Sequence, residues 1–306
     1  MWLELQIFGF RALWSPYFFT FCVILGIVYY LITGPYRHKF GGENQEKPLI
    51  KQHIFMYLAL FLLYLVKGSP IDLLSHIMLT AHMTQMAIFL LIFPILVIKA
   101  IPLWIWDKIV HAKILEPVIK LLSKPIISLL LFNGLFSVYH IPAIFDFSKS
   151  SPLWHFVIHA ILLLAAFNVF MPLLLPFKEI NTMSPLVKIL YIFANGVLIT
   201  PACVLIIFAN EPLYSAYTDE GAWIQALALC VPGDVLTGIS IPLSGPEMFS
   251  PLSTVLDQQF GGIIMKVLQE IIYMILLGRI FFTWFNKKSR ETDPIPVDNY
   301  TDPGLS

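Results

Sequence analysis

Long apolar runs separated by short polar connections dominate the chain. Seven of them approach the ~20 residues that a helix needs to cross a hydrocarbon layer of roughly 30 Å. The runs cover residues 16–34, 52–68, 73–98, 126–145, 153–177, 186–209 and 260–284. No segment alternates apolar and polar positions with a period of two, so strands are not expected. The pattern predicts an all-α, polytopic membrane helical bundle with about seven transmembrane helices.

Basic residues concentrate on alternate connections between these runs. One set of connections holds most of the lysine and arginine, whereas the opposite set holds only Arg11, Lys67 and Lys149. The long segment 210–259 has neither residue type. Because basic loops stay in the cytoplasm, we expect the N-terminus outside and the C-terminus in the cytoplasm.

The domain organisation follows from the same pattern. Residues 1–285 are expected to form a single transmembrane helical domain. Within it, 210–259 would form an external cap, with a short interfacial helix in GAWIQALALCVPG and a turn-rich loop after it. Spaced lysines and tryptophans in 100–125 indicate a cytoplasmic amphipathic segment. The polar, proline-rich stretch 286–306 is expected to be a disordered cytoplasmic tail.

Composition narrows the function classes. Hydrophobic residues make up 58% of the chain and charged residues 12%, about half the charged share of a soluble domain. The net charge of +0 gives no reason to expect nucleic acid as a partner. Walker A, H-E-x-x-H and G-x-S-x-G motifs are absent from the sequence, so no enzyme is predicted. The lipid bilayer is the expected surrounding, and the sequence leaves a homo-oligomer open.

Histidines give the most informative polar pattern. Five of the eight histidines map to one level, in the outer halves or outer ends of three runs: His76, His82, His140, His155 and His159. Ionisable side chains inside a membrane are costly and usually face the bundle interior. We therefore expect these imidazoles to converge near the outer surface.

Methionines accompany the histidines in the third run, which contains SHIMLTAHMTQM at residues 75–86. On a continuous helix turning 100° per residue, Met78, His82 and Met86 would share one stripe. His76 and Met83 would share a second face. Imidazole with thioether suits a soft metal, and methionine favours Cu(I). The candidate metal ligands are His76, Met78, His82, Met83, Met86, His140, His155 and His159. The alternative is that the histidines bridge helices by hydrogen bonds while the methionines fill core volume.

The last run carries a second polar group. Lys266 and Glu270 lie four residues apart, so they can form an ion pair within one helix. The sequence leaves open whether this pair locks helices together or moves protons or metal. Asp257 and Met265 lie nearer the outer mouth, where they are candidates for the first contact with an incoming ion.

Several segments together resemble a known family. They are RALWSPYFF, SHIMLTAHMTQM with the following FPILVIKAIP, the pair His155 and His159, and DQQFGGIIM. Over residues 11–285 they are similar to the CtaG family, multispanning assembly factors for caa(3)-type cytochrome c oxidase in Gram-positive bacteria. The resemblance implies a plasma-membrane metallochaperone that works with cytochrome c oxidase subunits and handles copper. Many members carry H-M-x-x-H, whereas Met86 stands at the second histidine here, which keeps a soft ligand and favours Cu(I).

Three functions remain open on this basis. The first is a non-catalytic assembly factor that delivers copper at the outer face of the bilayer through His82, Met86, His155 and His159. The second is a haem-binding membrane oxidoreductase, in which His82 and a histidine of the fifth run would ligate the iron. The third is a metal-free assembly scaffold or a transporter.

Overall fold

Helices account for the regular structure of this computed structural model, which describes residues 2–42, 48–238, 246–250 and 252–292. No strand occurs within those ranges. The α-helices are α1 (Trp2–Leu5), α2 (Gly9–Trp14), α3 (Pro16–Thr33), α4 (Ile50–Lys67), α5 (Pro70–Ser75), α6 (Leu79–Ala87), α7 (Phe93–Ala100), α8 (Leu103–Val110), α9 (Glu116–Leu122), α10 (Pro125–Tyr139), α11 (Pro142–Lys149), α12 (Pro152–Leu174), α13 (Pro185–Leu198), α14 (Thr200–Ile207), α15 (Glu220–Leu227), α16 (Gly233–Gly238) and α17 (Thr254–Thr292).

The membrane-spanning helices match the predicted count. Six helical stretches are long and apolar enough to cross a membrane, and a seventh arises if α9 and α10, which meet at an 80° bend, form one span. This confirms an all-α bundle that fits a multi-pass membrane protein. The orientation of the termini stays a prediction.

The third run occupies the centre of the bundle. A π-helical turn at Ile88–Ile92 joins α6 to α7, so Leu79–Ala100 is one span, and 67% of its apolar window is buried against 17% for α4. Pro94 has no N–H to give to the preceding turn, which the wider π turn accommodates. The most buried span therefore carries the histidine- and methionine-rich segment.

This central run does not begin as one continuous helix. α5 ends at Ser75 and α6 begins at Leu79, with Met78 in an extended conformation (φ −129°, ψ 134°). The prediction that Met78 shares a stripe with His82, and His76 a face with Met83, is therefore wrong. The 100° rule applies only within a single helix.

A contact from the far end of the chain explains the break. The Asp257 carboxylate accepts hydrogen bonds from the backbone N–H groups of Leu79 (2.6 Å) and Thr80 (3.4 Å). These donors belong to the first turn of a helix and have no partner within it. Asp257 thus acts as the cap that lets α6 start there, and its carboxylate is engaged by backbone rather than open for a metal.

The short helix predicted in the external segment is present as α15. Its Trp223 is fully buried and packs with Phe249, Leu73 and Phe8 in a second apolar cluster that covers the start of α5 and α6. Residues 239–245 and 251 of the predicted turn-rich loop lie outside the described residues. The segment therefore closes one end of the bundle, as a cap would.

The remaining predicted segments differ in detail. Residues 100–125 form two short helices, α8 and α9, rather than one, and Trp106 is buried with its Nε1–H donating to the carbonyl of Ile98 (3.1 Å). α17 runs to Thr292. The tail predicted from residue 286 thus begins as helix, and residues 293–306 lie outside the described residues.

Candidate functional site

Four of the five outer-level histidines meet in the interior. The ring centroids of His76 and His155 are 5.4 Å apart, those of His155 and His159 are 4.0 Å apart, and those of His159 and His82 are 6.4 Å apart. His76 follows α5, His82 lies in α6, and the other two lie one turn apart in α12. The predicted convergence of imidazoles from separate helices is therefore observed.

A tyrosine connects two of these imidazoles. The Tyr139 hydroxyl at the end of α10 lies 3.0 Å from His159 Nε2 and 3.4 Å from His82 Nε2. A hydroxyl donates one hydrogen bond and can accept another. Tyr139 can therefore donate to one histidine while it accepts from the other.

A buried lysine contacts the other side of His159. Lys67 Nζ, at the end of α4, lies 3.2 Å from His159 Nδ1, 3.4 Å from Gln85 Oε1 and 3.9 Å from Asp72 Oδ1. Gln85 Nε2 donates to Asp72 Oδ1 (2.7 Å) and to the carbonyl of Val66. Burial raises the pKa of Asp72, and the nearby ammonium of Lys67 partly opposes that shift. Lys67 and Asp72 therefore act as a charge-compensating pair, and the Gln85 amide bridges them by hydrogen bonds.

A second buried lysine reaches the first histidine of the string. Lys149 Nζ, at the end of α11, lies 3.0 Å from His76 Nδ1 and 3.4 Å from the carbonyl of Ser75, which also accepts from the Tyr217 hydroxyl (2.7 Å). Burial, with the nearby charge of Lys67, lowers the pKa of Lys149 to about 7. Burial and the charge of Lys149 hold the pKa of His76 well below its usual range. His76 is therefore a neutral imidazole at pH 7.

We call this set of side chains the histidine cluster. Its members are Lys67, Asp72, His76, His82, Gln85, Tyr139, Lys149, His155 and His159. Two nitrogen atoms within it, His82 Nδ1 and His155 Nδ1, are buried without a hydrogen-bond partner. Buried polar atoms in that condition are uncommon in native proteins, and each needs an explanation. Six other side-chain atoms of the described residues share the condition, among them Trp223 Nε1 and Gln269 Nε2.

The other candidate ligands lie around this cluster. His140 caps the end of α10, where its Nδ1 contacts the carbonyl of Phe136 (2.7 Å) and its Nε2 is buried without a partner. Met83 and Met86 are buried in the main apolar core, and Met78 packs against the second apolar cluster. Within the described ranges, no three side chains of the histidine, cysteine, aspartate and glutamate types form a ready-made metal site.

The predicted ion pair in the last helix is present but separate. Lys266 Nζ lies 2.7 Å from Glu270 Oε1 and also donates to Thr200 Oγ1 (3.1 Å) and to the carbonyl of Gly196 (3.2 Å). These contacts join α17 to α13 and α14. Such contacts hold neighbouring helices together.

A second buried polar region lies between α9, α10, α12, α13 and α17. We call it the amide seam, and its members are Ser123, Ser128, Asn133, Asn168, Tyr191, Asn195 and Tyr273. Asn133 Nδ2 donates to Asn195 Oδ1 (2.6 Å), and Asn195 Nδ2 donates to the Tyr273 hydroxyl (2.8 Å). Ser123 donates to Asn168 Oδ1 (3.0 Å). Acids, lysines and histidines do not belong to this seam.

Sequence reasoning overlooked the two lysines and Asp72 as parts of the site. In the sequence, Lys67 and Lys149 stand out only as basic residues in connections that otherwise hold few of them. Their positions were the signal in the sequence. Each lysine follows an apolar run in a connection on the side where basic residues are scarce, so the positive-inside rule does not explain it. Lysine is not a usual metal ligand, so a pattern of metal-ligand residue types does not include it.

Comparison with known proteins identifies the family of this chain. A family model described as cytochrome c oxidase caa3 assembly factor (Caa3_CtaG) matches residues 27–287, which include every member of the histidine cluster. No curated protein and no solved structure matches the chain. Because the matched region covers most of the sequence, the chain belongs to the caa3 cytochrome c oxidase assembly factor family.

Proposed function

We propose that this assembly factor binds copper in the histidine cluster and passes it to a cytochrome c oxidase subunit at the outer face of the plasma membrane. The observation that supports this most strongly is the pair of unpartnered nitrogens, His82 Nδ1 and His155 Nδ1, on two different helices of a buried cluster. A lone pair on a neutral imidazole is a good ligand for copper. Handing the ion on requires no catalytic group, only a tighter site on the receiving subunit.

The donor set suits Cu(I) better than a harder or higher-coordinate ion. Since no three ligand side chains are pre-arranged in the described residues, few protein donors are at hand without rearrangement. Soft Cu(I) accepts thioether ligands, and the buried Met86 lies one turn beyond His82 in α6. Two imidazoles, with a methionine as a further donor, make a site from which the ion can leave.

The hydrogen bonds around His82 determine which ring nitrogen of His82 and of His159 carries the proton. Because an ammonium only donates, Lys67 donates to His159 Nδ1, so neutral His159 carries its proton on Nε2. Nε2–H then donates to Tyr139, whose hydroxyl donates to His82 Nε2. That order leaves the proton of His82 on Nδ1, where it has no acceptor.

Copper at His82 Nδ1 therefore requires that proton to leave. The reversed order is then favoured: His82 Nε2–H donates to Tyr139, the hydroxyl donates to His159 Nε2, and His159 Nδ1–H donates to a neutral Lys67. Counting protons over the four side chains, six are present before binding and five after it, so roughly one proton is released per ion. Because one proton leaves as one Cu(I) ion binds, the charge of the site stays the same, which reduces the cost of binding a cation in a buried place.

A haem at this site is a weaker alternative. His82 packs against the rings of Phe145 and Tyr139, with centroids 5.0 and 6.0 Å away, and Tyr139 lies between His82 and His159. A macrocycle between the two imidazoles would have to displace these rings. The small size of a single ion requires no such displacement.

The experiment is a competition titration of the purified full chain with Cu(I) against a colorimetric chelator. Wild type is compared with His82→Ala/His155→Ala and with His38→Ala/His111→Ala, which removes two histidines outside the cluster. We expect the first variant to lose binding and the second to bind as wild type does. Equal binding by all three proteins would refute the proposal, and a Soret band in the purified wild type would favour the haem alternative.

A further inference from the structure

A groove at the end of the bundle opposite the histidine cluster combines an apolar floor with two cations. It lies between α4, the α7 region and α17 and has a volume of about 260 Å³. Its lining is apolar, with Ile275 among its residues, except for two cations, Lys99 and Arg279. None of these residues belongs to the histidine cluster.

The two longer walls of the groove have the same pattern. Residues 92–99 read IFPILVIK and residues 272–279 read IYMILLGR, so both follow I-x-x-I-L-x-x-K/R. Positions i, i+3, i+4 and i+7 lie on one face of a helix. Each wall therefore presents three apolar side chains followed, one turn later, by a cation. Because the two spans run in the same direction, both cations lie at the same end.

Within the described residues, these two cations have no acidic partner. Lys99 is half-buried and Arg279 is exposed, and both line the same groove. Across the residues that the structure describes, no carboxylate pairs with either side chain. Two cations that line one groove at a membrane boundary can hold an anionic group between them.

A second groove of the bundle shows what the cations add. The groove between α3 and α4 is larger, about 440 Å³, and its lining includes Cys22, Gly26 and Tyr57 but no charged side chain. Any acyl chain can fill it, and nothing in it selects a headgroup. Of these two grooves, the one that ends in Lys99 and Arg279 can distinguish an anionic from a zwitterionic occupant.

We propose that this groove binds an anionic phospholipid, with an acyl chain along the isoleucine and leucine walls and the phosphate between Lys99 and Arg279. Basic pockets between transmembrane helices on the cytoplasmic side commonly hold anionic headgroups. The charge asymmetry of the sequence predicts that Lys99 and Arg279 lie on that side. Bound lipid would join α7 to α17 where these two helices are separated by the groove.

The test uses the full chain in nanodiscs that contain equal amounts of dioleoylphosphatidylglycerol and dioleoylphosphatidylcholine. The lipids retained after extraction are counted by native mass spectrometry. Wild type is expected to retain the anionic lipid in preference, by roughly fivefold for each cation. Lys99→Gln/Arg279→Gln should lose this preference, whereas Lys51→Gln/Lys178→Gln, which removes two exposed cations outside the groove, should keep it.

A further variant separates the groove from its charges. Ile275→Trp fills the groove while both cations remain, and it is expected to lower retention of the anionic lipid; it also provides the test if the double variant does not fold. Addition of soluble glycerol phosphate should not displace the lipid. Equal retention of both lipids by wild type, or an unchanged preference in the groove variants, would overturn the proposal and favour a protein helix as the occupant.

Discussion

The histidine cluster and the amide seam are both buried and polar, yet they are built from different chemical groups. In the seam, neutral amides and hydroxyls bond across helices, as Asn133, Asn195 and Tyr273 do, although Asn133 Oδ1 is itself buried without a partner. In the cluster, Lys67 and Lys149 contact imidazoles, and His82 and His155 each keep a buried nitrogen without a partner. Neutral hydrogen-bonded groups fix helix packing at little cost, whereas buried ionisable groups are costly and are usually retained for function. We therefore propose that the seam holds the fold and that the cluster is the functional site.

The largest expected effect separates the two regions by function. Replacing His82 and His155 together with alanine should reduce caa3 oxidase activity in host membranes to the level of a strain without this protein, because the proposed copper donors are gone. The amount of folded protein should stay near wild type. Normal oxidase activity in this variant would make the cluster dispensable and support a metal-free scaffold.

The second effect concerns the proton order around Tyr139. Wild-type affinity for Cu(I) should rise about tenfold per pH unit, since one proton is released per ion. Tyr139→Phe removes the hydroxyl between the two histidines, so His82 can place its proton on either nitrogen and the slope should become shallow. Chelator competition between pH 6 and 8 measures it, and an undiminished slope in the variant would contradict the proposed order.

The third effect tests the cost of burying Lys149. Its pKa is about 7 in the folded protein and near 10.5 in the unfolded chain, so between these values the unfolded state binds more protons. Stability should therefore rise with pH from about 7 upward, by at most about 1.4 kcal/mol per pH unit, and should not change from this group at lower pH. The charges of Lys67, Asp72 and Asp146 also act on the pKa of Lys149, and His76 contacts its amino group.

Removal of the lysine makes that effect specific. Lys149→Met should abolish most of the rise in midpoint temperature between pH 7 and 9, as followed by thermal unfolding of metal-free protein in detergent. Lys266→Met is the control variant. It should keep the rise in midpoint temperature seen in wild type, because Lys266 lies outside the cluster. A curve for Lys149→Met that parallels wild type would assign the pH dependence to other groups.

The smallest effect belongs to the seam. Asn195→Ala removes bonds from Asn133 and to Tyr273, and each such bond between membrane helices contributes about 0.6 kcal/mol on average. We expect a midpoint temperature lower by a few degrees with copper binding unchanged. Loss of copper binding in a folded Asn195→Ala protein would mean that the two regions are not independent.

The helices could be predicted from the sequence because apolar length is a local property. Runs such as 16–34 and 52–68 correspond to α3 and α4 within two residues at each end. The break between α5 and α6 could not be predicted, since no proline or glycine marks it. It depends on Asp257, which lies 178 residues from Leu79 in the sequence.

The candidate site was predictable only in part for a related reason. The meeting of His82 with His159 followed from their shared depth and from the cost of exposing imidazole to lipid. The roles of Lys67, Asp72 and Lys149 depend on short contacts between ends of different helices, which no spacing rule encodes. The contribution of Met83 and Met86 as ligands stays a prediction.

X-ray absorption at the copper edge of the Cu(I)-loaded full chain tests the central claim most directly. The account predicts the backscattering pattern of coordinated imidazole in wild type and its loss in His82→Ala/His155→Ala. A spectrum with only sulfur ligands, or an imidazole pattern that persists in the double variant, would contradict it.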